Sequence, residues 1–287
     1  MATRQGRTIG RLAVAPSVAI LATWSIVPLV LAIYYAFLHY KLDDPDKTSF
    51  AGWSNFYYFV TDPFFRQDIF NTVALVFLVI AISVIGGTLL AMLLDKPFWG
   101  RGIVRVMVIS PFFILPTVSA LVWKNLLMHP VFGLFAHLAQ VVGLQPINWF
   151  DTIPLLSVAI IVAWQWLPFA TLILLTALQS LDEEQKDAAA MDGAGAIAFF
   201  RYIVLPHIMR AVTVVILIET IFLLNVFAEI KVTSVGALAG NLTYLVFSQL
   251  NDASDIGEAA AGGLIAVVVA NIVSAFLVRL IGRNLEA

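Results

Sequence analysis

The chain has 287 residues and a formal net charge of −2, with 61% hydrophobic residues, 12% charged residues and no cysteine. Soluble domains carry about 25% charged residues, so this chain has too little charge to cover a water-exposed surface, which excludes a soluble enzyme or a nucleic-acid-binding protein. Without cysteine there is no disulfide and no thiolate metal site, and the scattered histidines show no ligand spacing. We therefore expect no metal site, no catalytic site and no nucleic-acid partner, and we expect contact with membrane lipid.

Six apolar stretches are each long enough to cross a bilayer, because a helix needs about 20 apolar residues to span the hydrocarbon core. The first stretch is too long for the core of a cleaved signal peptide and is expected to be retained. The predicted spans are roughly Leu12–Tyr40, Ile69–Asp95, Val104–Met128, Pro154–Leu178, Ile208–Lys231 and Glu258–Ile281. We therefore predict an all-α polytopic membrane protein in which residues 1–287 form a single transmembrane domain.

Prolines lie inside or at the edge of several predicted spans. They are Pro16, Pro28, Pro111, Pro116 and Pro168. Each removes a helix hydrogen-bond donor and tends to kink the helix. Ordinary kinks in a packed bundle and a role in conformational gating both fit this pattern.

The distribution of lysine and arginine predicts the orientation, because cytoplasmic loops are enriched in both. An even number of spans puts both termini on one side, together with the second and fourth loops. That side carries Arg4, Arg7, Arg11, Lys96, Arg101, Arg105, Lys186, Arg201, Arg210, Arg279 and Arg283. We expect both termini in the cytoplasm, and orientation alone accounts for Arg101 and Arg105.

The longest cytoplasmic loop covers residues 180–206. Ser180 and Glu183 have the spacing of a capping box, which predicts a helix start. Asp192-Gly193 is a turn signal that ends this helix. A second short helix is predicted after the turn, with Ile197, Phe200 and Ile203 on one apolar face, before Pro206 opens the fifth span. The thin alanine face of the first helix suits either a docking surface or a solvated interfacial loop.

The same loop resembles the EAA loop of binding-protein-dependent ABC importer permeases, which reads E-A-A-x-x-D-G-A followed by F and I-x-L-P. The residues that carry the resemblance are Asp187, Ala188, Ala189, Asp192, Gly193, Ala194, Phe200, Ile203, Leu205 and Pro206. Asp187 stands where the family usually has glutamate, so the carboxylate is kept on a shorter side chain. We refer to residues 180–206 as the coupling loop.

The resemblance implies a type I ABC importer permease fold in a bacterial inner membrane. It also implies a second permease subunit, two ATP-binding subunits and an extracytoplasmic solute-binding protein as partners. The residues implied to dock the ATP-binding subunit are Asp187, Ala188, Ala189, Asp192, Gly193, Ala194, Phe200 and Pro206. The sequence has no G-x-x-x-x-G-K-[ST] phosphate loop, so ATP and magnesium are expected on the partner subunits, with no cofactor bound by this chain.

Two later segments resemble the sugar-importer branch of that family, in particular its maltose-type and polyol-type (sorbitol- or mannitol-like) members. They are the stretch Gly240–Gln249 and the alanine- and glycine-rich stretch Ala259–Gly263. A sugar or sugar alcohol is therefore the expected substrate.

Polar side chains inside the spans are candidates for the translocation path, because charge within a membrane is costly. Glu219 is predicted near mid-membrane, and Asn225 and Glu229 are four residues apart, which places them on one helix face. Among the aromatic residues Trp166 is the chosen candidate, and Trp164, Gln165, Phe169, Phe222 and Phe227 are further possibilities. The alternatives are interhelical hydrogen bonding for asparagine and an interfacial belt for tryptophan.

Two rival functions are also considered. A proton-coupled secondary transporter would use Glu219 or Glu229, and an inverted sequence repeat would favour it, but no repeat is visible. The second rival is a membrane-embedded enzyme or a purely structural bundle. An enzyme would need converging catalytic groups, and the scattered histidines argue against that.

Overall fold

The computed structural model describes the backbone of residues 4–282 and the side chains of residues 13–276 and of Arg279. This part of the chain is mostly helical. Its α-helices are α1 (Arg4–Ala36), α2 (Ser54–Thr61), α3 (Phe65–Asp95), α4 (Arg101–Ile109), α5 (Pro116–Val122), α6 (Leu134–Val141), α7 (Trp149–Thr152), α8 (Pro154–Gln179), α9 (Glu183–Met191), α10 (Ala196–Phe199), α11 (Leu205–Leu223), α12 (Ala228–Thr233), α13 (Gly236–Ala239), α14 (Leu242–Asn251) and α15 (Ile256–Gly282).

Part of the orientation argument falls outside this range. Arg283 lies outside the described residues, as do the side chains of Arg4, Arg7 and Arg11. Cytoplasmic termini and a single domain over residues 1–287 therefore stay predictions.

Contacts divide the chain into two compact units, and the first combines residues up to Phe65 with Leu245–Val268. It holds α1, α2, most of α14 and the first half of α15, plus a short antiparallel pair of strands, β1 (Leu38–His39) and β2 (Ser49–Phe50). The buried Asn55 amide donates to the carbonyls of Ala36 at 2.9 Å and Leu38 at 2.8 Å. These bonds satisfy carbonyls at the end of α1.

The second unit combines Arg66–Tyr244 with the residues from Val269 onward. Its core forms where α8 packs against α3 and α11, and α8 is the most buried of the long apolar helices. Pro168 lies inside α8 without ending it. A helix that is apolar all round is expected at the centre of such a bundle.

Among the described residues, five helices are long and apolar enough to cross a membrane: Ala13–Ala36, Phe65–Asp95, Pro154–Gln179, Ala196–Leu223 and Ile256–Phe276. The third predicted span, Val104–Met128, was wrong as one continuous helix. It consists of Arg101–Phe113 and Pro116–Leu127, bent by 107° at the break. Pro116 has no N–H and forces Leu115 into an extended conformation, which ends the first segment. Counting the bent pair as one span gives the six that the composition predicts.

The fifth predicted span, Ile208–Lys231, was also wrong at both ends. The helical run begins at Ala196, passes through a π-helical turn at Phe200–Val204 and ends at Leu223. The chain then breaks before α12 starts at Ala228. The Asn241 side chain donates to the Val226 carbonyl at 2.6 Å within this break, so a backbone group freed by the interruption is satisfied internally.

The break in the third span is satisfied in a similar way by Gln165 of α8. Its Nε2 donates to the Ile114 carbonyl at 3.0 Å, and the side chain is only 6% exposed. In a membrane an unpaired carbonyl at such a break is costly, because no water reaches it.

Gln165→Leu is expected to lower the unfolding free energy by about 1–3 kcal/mol, because it removes the donor and leaves the Ile114 carbonyl unsatisfied. Thermal unfolding of the purified protein in detergent measures this loss. The matched control is Thr176→Val, since the exposed Thr176 hydroxyl donates only to Leu172 of its own helix. Equal melting temperatures for the two variants would contradict the assigned role of Gln165.

Candidate functional site

The two ends of the coupling loop are joined by a hydrogen-bonded base. His207, in the first turn of α11, has its Nε2 2.9 Å from the Ala177 carbonyl and 3.1 Å from the Ser180 hydroxyl. The Ser180 hydroxyl donates to the Ala177 carbonyl at 2.8 Å. Ser180 thus closes the end of α8, and its predicted role as the start of the next helix was wrong because Asp182 occupies that position. Sequence reasoning missed His207, whose partners lie about thirty residues away.

The predicted turn at Asp192-Gly193 is confirmed. Gly193 has φ +70° and its N–H donates to the Ala190 carbonyl at 3.1 Å, while the N–H of Ala194 donates to the Ala189 carbonyl at 3.0 Å. These two bonds form a Schellman motif, which requires a left-handed residue at the position of Gly193. A Cβ built on Gly193 meets no atom within 4 Å, so the turn faces open space.

Most of the predicted docking residues lie on the surface of the coupling loop. Those exposed are Asp187, Ala188, Asp192, Gly193, Ala194 and Pro206. Ala189, a residue of α9, is buried. Phe200 is half-buried and packs against the core of the second unit. These two residues position the exposed surface and do not form part of it.

Three large apolar side chains extend from the same loop into the surroundings: Met191 at 88% exposure, Ile197 at 83% and Tyr202 at 73%. The predicted shared face of Ile197 and Phe200 was therefore wrong, because Ile197 points outward while Phe200 packs inward. The π-helical turn changes the rotation between α10 and α11, which a regular 3.6-residue period does not anticipate. Exposed apolar side chains of this size are available for contact with a partner.

An ion pair joins two side chains one turn apart on α9. Lys186 Nζ donates to Glu183 Oε1 at 2.9 Å. This hydrogen bond, with the nearby charges of Glu183 and Asp95, raises the pKa of Lys186 above its ordinary value despite partial burial. Asp187 is the fifth residue of α9 and lies beyond the first turn, where the helix dipole stabilises carboxylates most.

Asp187→Asn is expected to reduce several-fold the solute transported per ATP hydrolysed by the assembled complex. The lost charge contributes little to α9 itself, so the loss is expected from the predicted contact with the ATP-binding subunit. Asp187→Glu is expected to keep the ratio near the unmodified value. Proteoliposomes give the ratio when uptake and phosphate release are measured together. The control is Glu184→Gln, which removes one charge from an exposed first-turn position. An unchanged ratio for Asp187→Asn would assign this residue to helix stability alone.

A second candidate site is an aromatic patch in the same unit, formed by Phe112, Phe113, Trp166, Phe169 and Phe222. The Trp166 ring is 5.2 Å from Phe222, 5.7 Å from Phe112 and 5.8 Å from Phe169, measured between centroids. Phe112, Phe113 and Phe222 are exposed by 41%, 76% and 57%. The patch presents apolar ring faces that can pack against the C–H faces of a ligand. Sequence reasoning missed Phe112 and Phe113, which reach the patch only because the third span breaks.

Asn225 lies one turn beyond Phe222 and is exposed. Its Nδ2 donates to the Ile221 carbonyl at 3.0 Å, and its backbone N–H donates to the Phe222 carbonyl. Glu229 is 5% exposed in the first turn of α12. The predicted common face of Asn225 and Glu229 was wrong, because the chain breaks between them and the helical spacing of four residues no longer applies.

Glu219 is fully buried in α11, and neither carboxylate oxygen has a hydrogen-bond partner among the described residues. Ser83 of α3 faces it and is also buried. Glu219 therefore lies inside the bundle. Its role in translocation stays a prediction.

The remaining candidates pack elsewhere. Trp164 contacts Trp123 at 5.7 Å between centroids, and Phe227 stacks on Tyr244 at 6.4 Å. Gln165 supports the break in the third span. Within the described residues no three histidine, aspartate or glutamate side chains form a possible metal site.

Comparison with known proteins identifies the family. Residues 84–287 match the family described as "Binding-protein-dependent transport system inner membrane component". The chain belongs to this family of transport components. It is 35% identical over 279 residues to the probable ABC transporter permease protein y4oQ of Sinorhizobium fredii, covering 92% of this chain and 86% of that protein.

Two further comparisons agree with this assignment. The chain is 28% identical to the trehalose/maltose transport system permease protein MalF of Thermococcus litoralis, over 94% of this chain and 91% of that protein. It is also similar to a chain in the crystal structure of a bacterial ABC transporter that imports the acidic polysaccharide alginate, with a TM-score of 0.81, 21% identity and coverage of 98% and 99%. The predicted all-α fold of type I ABC importer permeases is confirmed, and this family member is an inner-membrane component of a binding-protein-dependent transport system.

Proposed function

We propose that this chain is a permease subunit that moves a sugar or sugar alcohol across the bacterial inner membrane, driven by ATP hydrolysed on other subunits. The observation that carries the proposal is the exposed coupling loop, in which a rigid glycine turn and three apolar side chains extend from a hydrogen-bonded base. Trehalose/maltose transport by a relative with 28% identity supports a carbohydrate substrate. Sorbitol and mannitol are finer possibilities within the same class.

The family and the coupling loop support the proposed partners. The family description supports an extracytoplasmic solute-binding protein. Two ATP-binding subunits carry ATP and magnesium, and one of them receives the residues Asp187 to Ala194 in a cleft. A second permease subunit completes the path, and both termini lie in the cytoplasm. Closure of the ATP-binding subunits displaces the coupling loop, and the attached spans rock between inward- and outward-open states.

The aromatic patch and Asn225 contact the solute in this proposal. Ring faces cover the C–H faces of a sugar, and the Asn225 carboxamide bonds its hydroxyls. Trp166 supports the patch by contacting three of its rings. Glu219 and Glu229 are buried in this chain, so neither is proposed as a solute contact.

The test is reconstitution of the complete transporter with its ATP-binding subunits and solute-binding protein in proteoliposomes. Uptake of a panel of labelled disaccharides, hexoses and sugar alcohols is measured with and without internal ATP. We expect ATP-dependent uptake of at least one member. Failure to assemble with an ATP-binding subunit would overturn the permease role, whereas uptake of only non-carbohydrate solutes would overturn the substrate class.

A proton-coupled secondary transporter is the second candidate, because Glu219 is a buried carboxyl without a partner. The same proteoliposomes distinguish it when a pH gradient replaces ATP. We expect no uptake from the gradient alone and substantial ATP-driven uptake in Glu219→Gln, which keeps the shape and removes the titratable group. Gradient-driven uptake that disappears in Glu219→Gln would establish the alternative instead.

A further inference from the structure

Two arginine side chains converge at the start of α4. Arg101 and Arg105 are four residues apart and share one helix face. With the Gln179 amide oriented to satisfy its neighbours, the Gln179 oxygen accepts from Arg105 Nη2 at 2.9 Å and from Arg101 Nη2 at 3.1 Å. Both guanidinium Nε atoms are buried and have no hydrogen-bond partner among the described residues. The pair therefore shares one neutral oxygen.

No carboxylate of the described chain neutralises these two charges. The ion pairs found within it join Lys41 to Asp255, Lys47 to Asp44 and Lys186 to Glu183. Two like charges that share one acceptor repel each other, more strongly where protein and lipid exclude water. Each guanidinium has five donors, and the Gln179 oxygen accepts from one Nη2 of each arginine. The Nε donors are enclosed by protein, so the remaining Nη hydrogens are the donors open to an anion. Phosphate oxygens match the guanidinium fork well.

The opposite face of α4 is apolar and uncovered. Ile103, Val106 and Met107 are 68%, 68% and 67% exposed. A helix in water has its polar side chains outward and its apolar side chains inward, whereas α4 has the opposite arrangement. Its outer face is therefore suited to contact with lipid acyl chains. Trp99, two residues before α4, is 98% exposed, and tryptophan is enriched where chains meet headgroups. These features place the start of α4 at the membrane surface.

We propose that Arg101 and Arg105 bind the phosphate of an anionic phospholipid at the membrane surface. The phosphate oxygens accept from the donors that Gln179 leaves free and separate the two positive charges. Basic residues at this depth attract anionic lipid by charge complementarity. Because Gln179 ends α8 and the coupling loop starts at the next residue, the bound lipid would fix the bundle where the loop begins.

The test uses the complete transporter in detergent, with bound lipid measured by native mass spectrometry during titration with phosphatidylglycerol or phosphatidylcholine. We expect preferential binding of phosphatidylglycerol. The double variant Arg101→Gln/Arg105→Gln is expected to weaken that binding about 30-fold, or about 2 kcal/mol. The control Lys47→Gln/Arg66→Gln removes two exposed positive charges elsewhere in the chain and is expected to leave the binding unchanged. A second variant, Arg101→Lys/Arg105→Lys, keeps the charge and is expected to retain part of the preference.

Four results would overturn the proposal. Equal binding of both lipids, or equal loss in the control and the glutamine variant, would show that the arginine pair is not selective. Displacement of the lipid by millimolar inorganic phosphate would show a site for the free ion. Failure of both arginine variants to assemble, with partner subunits otherwise intact, would assign the pair to a protein interface.

Discussion

Replacing Gly193 with arginine is expected to abolish solute uptake by the assembled transporter. Gly193 has φ +70° and faces open space, so the side chain fits the isolated chain at a strain of about 1–2 kcal/mol. The larger effect comes from bulk at the tip of the coupling loop, where the turn enters the proposed cleft of an ATP-binding subunit. Uptake in proteoliposomes measures transport, and retention of the ATP-binding subunit during purification measures docking.

A matched control separates strain from docking. Gly143 has φ +75°, also meets nothing within 4 Å and ends α6 with the same pair of hydrogen bonds, from Gly143 to Gln140 and from Leu144 to Ala139. Gly143→Arg is expected to keep uptake within about twofold, because surface changes of this kind have small effects. Gly193→Asn is expected to retain most uptake, because asparagine tolerates the left-handed conformation. Similar losses in Gly193→Arg and Gly143→Arg would contradict the docking role.

The second large effect is expected at Asn225, where Asn225→Ala reduces uptake about 10-fold and leaves assembly unchanged. The exposed carboxamide next to Phe222 is proposed to bond a substrate hydroxyl, and one lost hydrogen bond corresponds to about this factor. Uptake as a function of solute concentration is measured together with the yield of assembled complex. The concentration for half-maximal uptake is expected to rise.

Asn251→Ala provides the control for that experiment. Asn251 ends α14, is exposed and donates to the carbonyl four residues earlier, as Asn225 does, but it lies in the other compact unit. It is expected to leave uptake unchanged. Glu229→Ala is expected to lower assembly and uptake together, because Glu229 is buried. If Asn225→Ala reduces assembly as much as uptake, its role is packing.

The helical class and, with the bent pair counted as one span, the number of membrane spans could be predicted because hydropathy and length determine them directly. The turn at Gly193 was also predictable, since Asp-Gly after an alanine-rich helix leaves few other conformations. Both depend on residues that are neighbours in the sequence. The exposure of Asp187 and Asp192 follows from the same local pattern.

The breaks in the spans could not be located in this way. Pro116 indicated a kink, but whether the helix bends or ends depends on a donor such as Gln165, which is 51 residues away from Ile114. The end of α11 at Leu223 likewise depends on Asn241, which satisfies the Val226 carbonyl. Helical periodicity assumes an uninterrupted helix, so it placed Asn225 and Glu229 on one face and Ile197 beside Phe200.

The helical run from Ala196 to Leu223 has a mechanical consequence. Its 28 residues form a rod about 42 Å long at 1.5 Å per residue. Its first turns belong to the coupling loop, and Asn225 lies just past its other end. A rod of this length works as a lever, so a tilt of about 5° at a fixed pivot moves its far end by about 4 Å. A small displacement of the loop would thus be felt at the aromatic patch without any residue between them changing its conformation.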